Sequence, residues 1–216
     1  MTNLRRFTFN MLCENCYVLS DSTGECVIID CGALYREERM AICQYIDDNG
    51  LKPVHLLCTH GHFDHCFGND TIYNKYGIAP EVAEEDLFLI NDVREQFRKM
   101  TGEDVDVSTP PVGHLLSDGE YVSFGTHRLQ VISTPGHSPG GVVFYCKEEK
   151  LAFTGDTLFR MSIGRTDFER SSYSDIANSL SRLRKLLPPD TTILSGHGPA
   201  STMADELQYN PYWPGA

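Results

Sequence analysis

The sequence predicts an α/β (α+β) fold of two sheets packed face to face with helices outside, a four-layer αββα sandwich. Three observations point there. Strand-sized apolar runs, such as Cys26-Val27-Ile28-Ile29 and Val142-Val143-Phe144-Tyr145-Cys146, are spread along the chain. Helical patterns separate them in the order strands, helix, strand, helices, then strands, helix, strand, so two similarly built halves follow one another. A hydrophobic fraction of 41% and a charged fraction of 22% over 216 residues are ordinary globular values, and a chain of this length buries a core without disulfide staples. No low-complexity tract or long linker divides it, so a single domain over 1–216 is expected.

Taken in order, Phe7 and Phe9 alternate with polar neighbours in a first strand, and 16–19 and 27–29 supply two more around the turn residues Asp21-Ser22-Thr23-Gly24. A helix is expected over 36–49, stopped by Gly50 where a left-handed residue is favoured. Pro53 precedes the apolar run 54–58, a buried-strand pattern, and a second helix is expected over 67–76, ended by Gly77. Over 84–99, Leu87, Ile90, Val93 and Phe97 recur at helical spacing, with acids at the start and Arg98-Lys99 at the end, as the macrodipole favours. Strands follow at 121–124 and 128–133 around Gly125-Thr126, then at 142–146 and 151–154. The last long helix covers 173–187, with Ile176, Leu180, Leu183 and Leu187 on one face. Ser172 and Asp175 fit a capping box at its start, Pro188-Pro189 ends it, and 191–195 is the final strand.

Charge excludes some partners. Lys plus Arg number 18 against 30 Asp plus Glu, a net charge of −12. A nucleic-acid or anionic-membrane binder wants a basic footprint, so neither partner is expected. The apolar runs stop well short of the roughly 18 residues a membrane helix needs. Residues 1–10 carry Arg5 and Arg6 with no apolar stretch behind them, so a cytoplasmic location is expected. The eight cysteines lie mostly inside apolar runs and read as reduced, packed thiols. Cys13-Glu14-Asn15-Cys16 has redox spacing but runs into a strand instead of opening a helix, so it reads as two packed cysteines. The sequence carries no signature of oligomeric state.

The chemistry is concentrated in Thr59-His60-Gly61-His62-Phe63-Asp64-His65, three histidines and an aspartate directly after a buried strand. Imidazole and carboxylate are the ligands zinc and iron accept, and a Gly-containing loop can aim several side chains at one point where a strand cannot. Three further strands end in a potential ligand beside Gly: Gly136-His137, Gly155-Asp156 and Gly196-His197. Each alone is an ordinary turn. Together, His60, His62, Asp64, His65, His137, Asp156 and His197 converge on one edge of a sandwich, a set suited to two ions. His55, His114 and His127 lack such partners and read as structural.

HxHxDH followed by Gly-His, Gly-Asp and Gly-His at these intervals resembles the metallo-β-lactamase-fold hydrolases. Within them it is most similar to the short glyoxalase II-like (hydroxyacylglutathione hydrolase-like) branch. Asn15-Cys16-Tyr17, Ile29-Asp30-Cys31-Gly32, Gly155-Asp156-Thr157-Leu158-Phe159 and Ser162-Ile163-Gly164-Arg165-Thr166-Asp167 share in the resemblance. It implies that His60, His62 and His137 hold one divalent ion, that Asp64, His65 and His197 hold a second, and that Asp156 bridges them. Asp64 and Asp156 are thereby catalytic as well as ligating. Zinc is the first expectation, with iron or manganese as alternatives for the same N/O set. Antibiotic-cleaving relatives usually place Cys at the Asp156 position in their zinc-binding subclasses, so β-lactam hydrolysis is not the expected main activity.

The resemblance implies hydrolysis of a small-molecule thioester, S-D-lactoylglutathione or a related acylthioester. By that resemblance the paired ions would lower the pKa of bridging water towards about 7; the hydroxide would attack a polarised carbonyl, and a thiolate would leave without a dedicated general acid. Arg165 offers a bidentate fork for a substrate carboxylate, or an ion pair for Asp167. Asp30 either orients a ligand histidine or caps a turn, and helix 84–99 either flanks the cleft or covers the sandwich. Only 19 residues follow His197, too few for the helical domain that contacts glutathione in full-length glyoxalase II. Competing expectations are a mononuclear iron persulfide dioxygenase, a lactone or phosphodiester hydrolase of the same fold, and a catalytically silent metal- or partner-binding module.

Overall fold

Alternation along the strands decides the layering. In the computed structural model, which describes residues 2–213, Tyr17, Leu19, Val27, Ile29, Leu57, Val131, Phe144, Phe153 and Leu194 form one buried cluster. Their strand neighbours face the other way. Cys16, Val18, Cys26, Ile28 and Leu56 join Ile42, Cys43, Ile46 and Ile72 in a second cluster. Ile132, Val143, Tyr145, Ala152 and Ile193 join Leu180, Leu183, Met203 and Trp213 in a third. Residues facing both ways are therefore buried, which is why these strands read as continuous apolar runs. The four layers expected from the sequence are present.

The first sheet has the order β1 (Asn3–Phe9), β2 (Glu14–Ser20), β3 (Glu25–Ile29), β4 (Lys52–Leu57), β5 (Pro80–Ala83) and β6 (His114–Leu116). The second contains β7 (Tyr121–Phe124), β8 (His127–Ser133), β9 (Val142–Cys146), β10 (Leu151–Gly155), β13 (Thr192–Ser195) and β14 (Ser201–Thr202), in the order β14-β13-β10-β9-β8-β7. A short hairpin, β11 (Leu158–Phe159) with β12 (Ser162–Ile163), lies between β10 and β13 in the chain. Pairings β3–β4, β4–β5, β5–β6 and β10–β13 are parallel. Parallel neighbours need crossovers. These carry α1 (Arg36–Asp48), α2 (Phe63–Cys66) with α3 (Asn69–Tyr76), α4 (Leu87–Ile90) with α5 (Val93–Thr101), and α6 (Tyr173–Leu186). The helix α7 (Met203–Tyr209) follows β14.

Several expectations need correction. The helix expected over 67–76 is α3, which starts two residues later at Asn69 and ends at Gly77 as expected; the unexpected turn α2 precedes it, and the chain breaks between the two at Gly68. The Gly68 N–H donates to Cys31 O at 2.7 Å, and a Cβ there would lie 2.6 Å from Cys31 Sγ. The helix expected over 84–99 is a 3₁₀ turn (Glu84–Asp86), α4 and α5, interrupted at Asn91 and Asp92. Its apolar periodicity survives because Ile90, Val93 and Phe97 still enter one cluster with Phe63 and Phe67. At α6, Ser172 Oγ accepts from Asp175 N at 3.2 Å. The reciprocal half of the expected capping box is replaced, because the Ser172 N–H donates to Gly136 O at 2.8 Å. The eight cysteines are all unpaired and all but Cys13 are buried.

His55, His114 and His127 have partners away from the ligand motifs. His55 Nδ1 lies 2.5 Å from Glu81 Oε1, His114 Nε2 3.0 Å from Glu120 Oε1, and His127 Nδ1 3.2 Å from Asp21 Oδ2. Among the described residues no helix is long and apolar enough to cross a membrane.

Candidate metal centre

The carboxyl ends of strands from both sheets meet at one edge. Asp30 follows β3, His60 follows β4 by two residues, Asp156 follows β10, and His197 follows β13 by one. His137 sits in the turn between β8 and β9. Main-chain and side-chain bonds stitch the sheets together here. Asn15 N donates to Gly196 O at 2.7 Å, Val142 N to Thr59 O at 2.8 Å, and Tyr17 OH to Ser195 O at 2.7 Å. The approach is close enough to demand glycine: a Cβ on Gly196 would lie 2.6 Å from His65 Cε1 and run into Asp156 Oδ1.

All seven sequence-predicted ligands gather at this edge. The ligand atoms of His60, His62 and His137 lie within 4.8 Å of one another, and so do those of Asp64, His65 and His197. The short helix α2 starts after His62 and brings Asp64 and His65 round to the second group. Asp156 lies between the groups: its Oδ2 is 3.5 Å from His137 Nε2 and 3.6 Å from His197 Nε2, and its Oδ1 is 3.4 Å from His65 Nε2. A third grouping, Asp30 with His60 and His65, arises because Asp30 stands behind both rings.

Four of the five histidines are turned by a bond to the ring nitrogen that faces away from the centre. His65 Nδ1 donates to Asp30 Oδ2 at 3.0 Å, and His60 Nδ1 to Thr59 Oγ1 at 3.0 Å. Thr59 in turn gives its hydroxyl and its N–H to the two oxygens of Asp30, both at 2.7 Å. His137 Nδ1 is satisfied by Arg165 O at 2.9 Å and His197 Nδ1 by Leu12 O at 3.0 Å. A donor bond on Nδ1 leaves the lone pair on Nε2, the arrangement a metal-binding imidazole requires. His62 presents Nδ1, 2.9 Å from His137 Nε2. Asp30 therefore orients one histidine directly and a second through Thr59.

The lone pairs so aimed have nothing to accept. His60 Nε2, His65 Nε2 and Asp156 Oδ1 are buried without a hydrogen-bond partner. Orphaned buried polar atoms are costly, and convergent N and O lone pairs are what a divalent cation binds. These residues fit such ions. Burial, reinforced by the neighbouring imidazoles, holds the His60 ring well below its ordinary value and pushes His62 down to about 3, so both are neutral and free to ligate. Burial works against charge on Asp64 and Asp156 as well. The surrounding imidazoles, His65 foremost, outweigh it and lower both carboxyls. The same coupling raises His65, whose burial is outweighed by Asp64, Asp156 and Asp30, so a cation at His65 Nε2 would displace a proton that these carboxylates favour there.

Arg165 sits at the rim. Its guanidinium grips Asp167 in two bonds of 2.8 and 2.9 Å and lies 4.4 Å over the Phe168 ring, which is 5.0 Å from the His62 ring. Two residues with no place in the sequence motifs also reach the site. Asp86, fully buried, accepts from Gly61 N, Ser138 Oγ and Gly140 N at 2.9, 2.7 and 2.6 Å. Glu14 is fully buried with both carboxyl oxygens unpartnered, and burial pushes its carboxyl well above the usual range. Neither carries a sequence signal, since Asp86 reads as one more acid opening a helix and Glu14 as an intervening residue of the Cys13–Cys16 spacing. From the segment read as helix 84–99, Gln96 Nε2 donates to Gly61 O at 3.2 Å, so this segment flanks the first group and does not merely cover the sandwich.

Comparison with known proteins agrees with this geometry. Residues 14–198 match the model of the Metallo-beta-lactamase superfamily. A Bacillus subtilis protein named probable metallo-hydrolase YqgX is 33% identical over 96% of both chains, and a Haemophilus influenzae protein named hydroxyacylglutathione hydrolase GloC is 33% identical over 92% of both. Among solved structures, that of the BLEG-1 B3 metallo-beta-lactamase aligns with a TM-score of 0.90 and 31% identity, covering 99% of this chain and 100% of that one. TTHA1623 in a di-iron-bound form aligns with a TM-score of 0.85 and 33% identity, covering 96% and 99%.

Proposed function

The chain belongs to the metallo-beta-lactamase superfamily and is a metal-dependent hydrolase of it; from that premise we propose that it carries two divalent ions and cleaves a thioester, S-D-lactoylglutathione or a related acylthioester. The observation that carries this is Asp156 standing between two three-residue groups whose lone pairs are buried and unpartnered. His60, His62 and His137 would hold the first ion and Asp64, His65 and His197 the second, with Asp156 standing between the two groups as their shared ligand. Zinc is the first choice, and the di-iron form of TTHA1623 makes iron the alternative. The relative named hydroxyacylglutathione hydrolase supports the thioester.

When bound, the ions supply Lewis acidity toward a carbonyl oxygen and water ionised near neutral pH. The chain's residues do the rest. Neutral His60 and His62 offer nitrogen lone pairs without first releasing a proton, and Asp64 and Asp156, kept ionised, supply negative charge to hold the cations. Asp30 and Thr59 fix the rings so that no reorganisation accompanies the reaction. The leaving thiolate has an ordinary pKa of about 8.5, so it departs near neutrality without a proton donor, and no unassigned acid is needed at the centre. An exposed ion pair such as Arg165–Asp167 is worth little by itself, and the Arg165 fork can exchange Asp167 for a substrate carboxylate.

The similarity to BLEG-1 makes β-lactam opening the second reading. The test is to load the protein with zinc and follow thiol release from S-D-lactoylglutathione beside ring opening of a chromogenic cephalosporin. Oxygen uptake with glutathione persulfide is measured on the iron-loaded form. Thiol release far outpacing the other two is expected. Cephalosporin turnover or oxygen uptake without thiol release would overturn the thioester assignment.

A further inference from the structure

Asp86 is a buried carboxylate with no ligand position and no cation partner among the described residues. It ends the 3₁₀ turn that follows β5 and is fully buried. Its three hydrogen bonds go to two different loops. Oδ2 accepts from the N–H of Gly61, between His60 and His62, and from Ser138 Oγ, next to His137; Oδ1 accepts from the N–H of Gly140. Both loops press against this turn so tightly that side chains are excluded. A Cβ on Gly61 would lie 2.7 Å from Leu89 Cβ and 2.9 Å from Asp86 O, and one on Gly140 would lie 2.7 Å from Asp86 Cγ. Every ligand beside these contacts belongs to the first group. The second group rests on other supports: His65 on Asp30, His197 on Leu12 O, and Asp64 O on Asn10 Nδ2 at 2.9 Å.

The geometry points to Asp86 as a positioning residue that locks the His60–His62 loop and the His137 loop into one register, so that the first metal site, and not the second, depends on it. An apolar or neutral side chain could fill the same space, but only an acceptor with two oxygens can take three donors arriving from two loops. A carboxylate buried without a countercharge persists where donors surround it, and here those donors are the loops themselves. The consequence is unequal: loosening Asp86 lets His137 drift from His60 and His62 while Asp64, His65 and His197 keep their places. This rests on the two-ion reading above.

The test is chelator-competition titration of the metal-free protein with zinc, comparing wild type with Asp86→Asn and Ser138→Ala. Asparagine keeps the shape but turns an amide towards a donor, and supporting residues of this kind change metal affinity about 10–100-fold. The expected result is that Asp86→Asn weakens one of two zinc equivalents by about that factor and leaves the other unchanged. The weakened site is identified by the loss of imidazole-coordination shifts for His62 and His137, with those of His65 and His197 kept. Ser138→Ala, which removes one of the three bonds, shifts the same equivalent less, and it decides the matter if the asparagine variant does not fold. Two unchanged equivalents, or equal weakening of both, would overturn the role given to Asp86. Wild-type protein that takes up no zinc would overturn the metal reading itself, a result distinguishable from both.

Discussion

Replacing Asp30 by asparagine should switch the tautomer of His65 without changing the volume of the site. Asp30 is 2% exposed, and its carboxylate takes three donors: Thr59 N and Thr59 Oγ1 at 2.7 Å and His65 Nδ1 at 3.0 Å. An amide placed where Oδ2 now lies faces the Thr59 hydroxyl and the His65 Nδ1–H with its own N–H groups. The imidazole can accept from that amide only by moving its proton to Nε2, which removes the lone pair aimed at the second group. Hydrogen bonds to a charged acceptor are each worth about 1.5–3 kcal/mol, so losing two bounds the effect at about 3–6 kcal/mol. Relaxation brings measured losses for such supports to about 10–100-fold in affinity, or about 1.4–2.7 kcal/mol. Zinc titration against a competing chelator should show one equivalent weakened by that factor. The other, which Asp30 reaches only through Thr59, shifts less. Two equivalents bound as tightly as in the wild type would refute the orientation attributed to Asp30.

Phe153, 1% exposed and packed edge-on to Tyr17 with ring centroids 5.3 Å apart, fills the space between the sheets; Phe153→Ala should cost about 3–5 kcal/mol in denaturant unfolding, and a loss under about 1 kcal/mol contradicts the layering. The hydrogen bond and charge of Glu81 outweigh burial and raise His55 above its ordinary value. The pair's stabilisation is therefore complete below about pH 6.5 and lost as pH rises through the raised folded value. Glu81→Gln should lower the His55 midpoint in proton NMR and cut stability more at pH 6 than at pH 9; an unmoved midpoint excludes the pairing. Arg165→Ala should raise KM for an anionic thioester with kcat kept, and change stability by less than about 0.5 kcal/mol because the pair is exposed. An unchanged KM removes Arg165 from substrate recognition.

The ligands were legible because His60, His62, His137, Asp156 and His197 lie just beyond apolar strands or in glycine turns, and Asp64 and His65 follow within the same short motif although they stand on the helix α2 and not in a loop; all of these are local patterns. Long, doubly buried strands such as β9 and long one-faced helices such as α6 were legible for the same reason. What escaped was set by distant partners. β5 and β6 carry only Pro80-Glu81-Val82-Ala83 and His114-Leu115-Leu116, too short for any periodicity, and they are strands because parallel neighbours offer them bonds. The segment 84–99 kept its helical spacing across a break, since α4 and α5 bury the same face. The 3₁₀ turn preceding them places the Asp86 carboxylate between two loops, which no local pattern announces. Asp30 pairs with Thr59 and His65, 29 and 35 positions away, so only the fold decided between orienting a histidine and capping a turn.

The metal reading places two cations side by side with Asp156 between them. Anomalous-difference density from crystals of the zinc-loaded protein, collected on either side of the zinc edge, tests it directly. Two peaks per chain are expected, one among His60, His62 and His137 and one among Asp64, His65 and His197, with the Asp156 carboxylate between them. A single peak at full loading, or peaks away from these side chains, would contradict that reading.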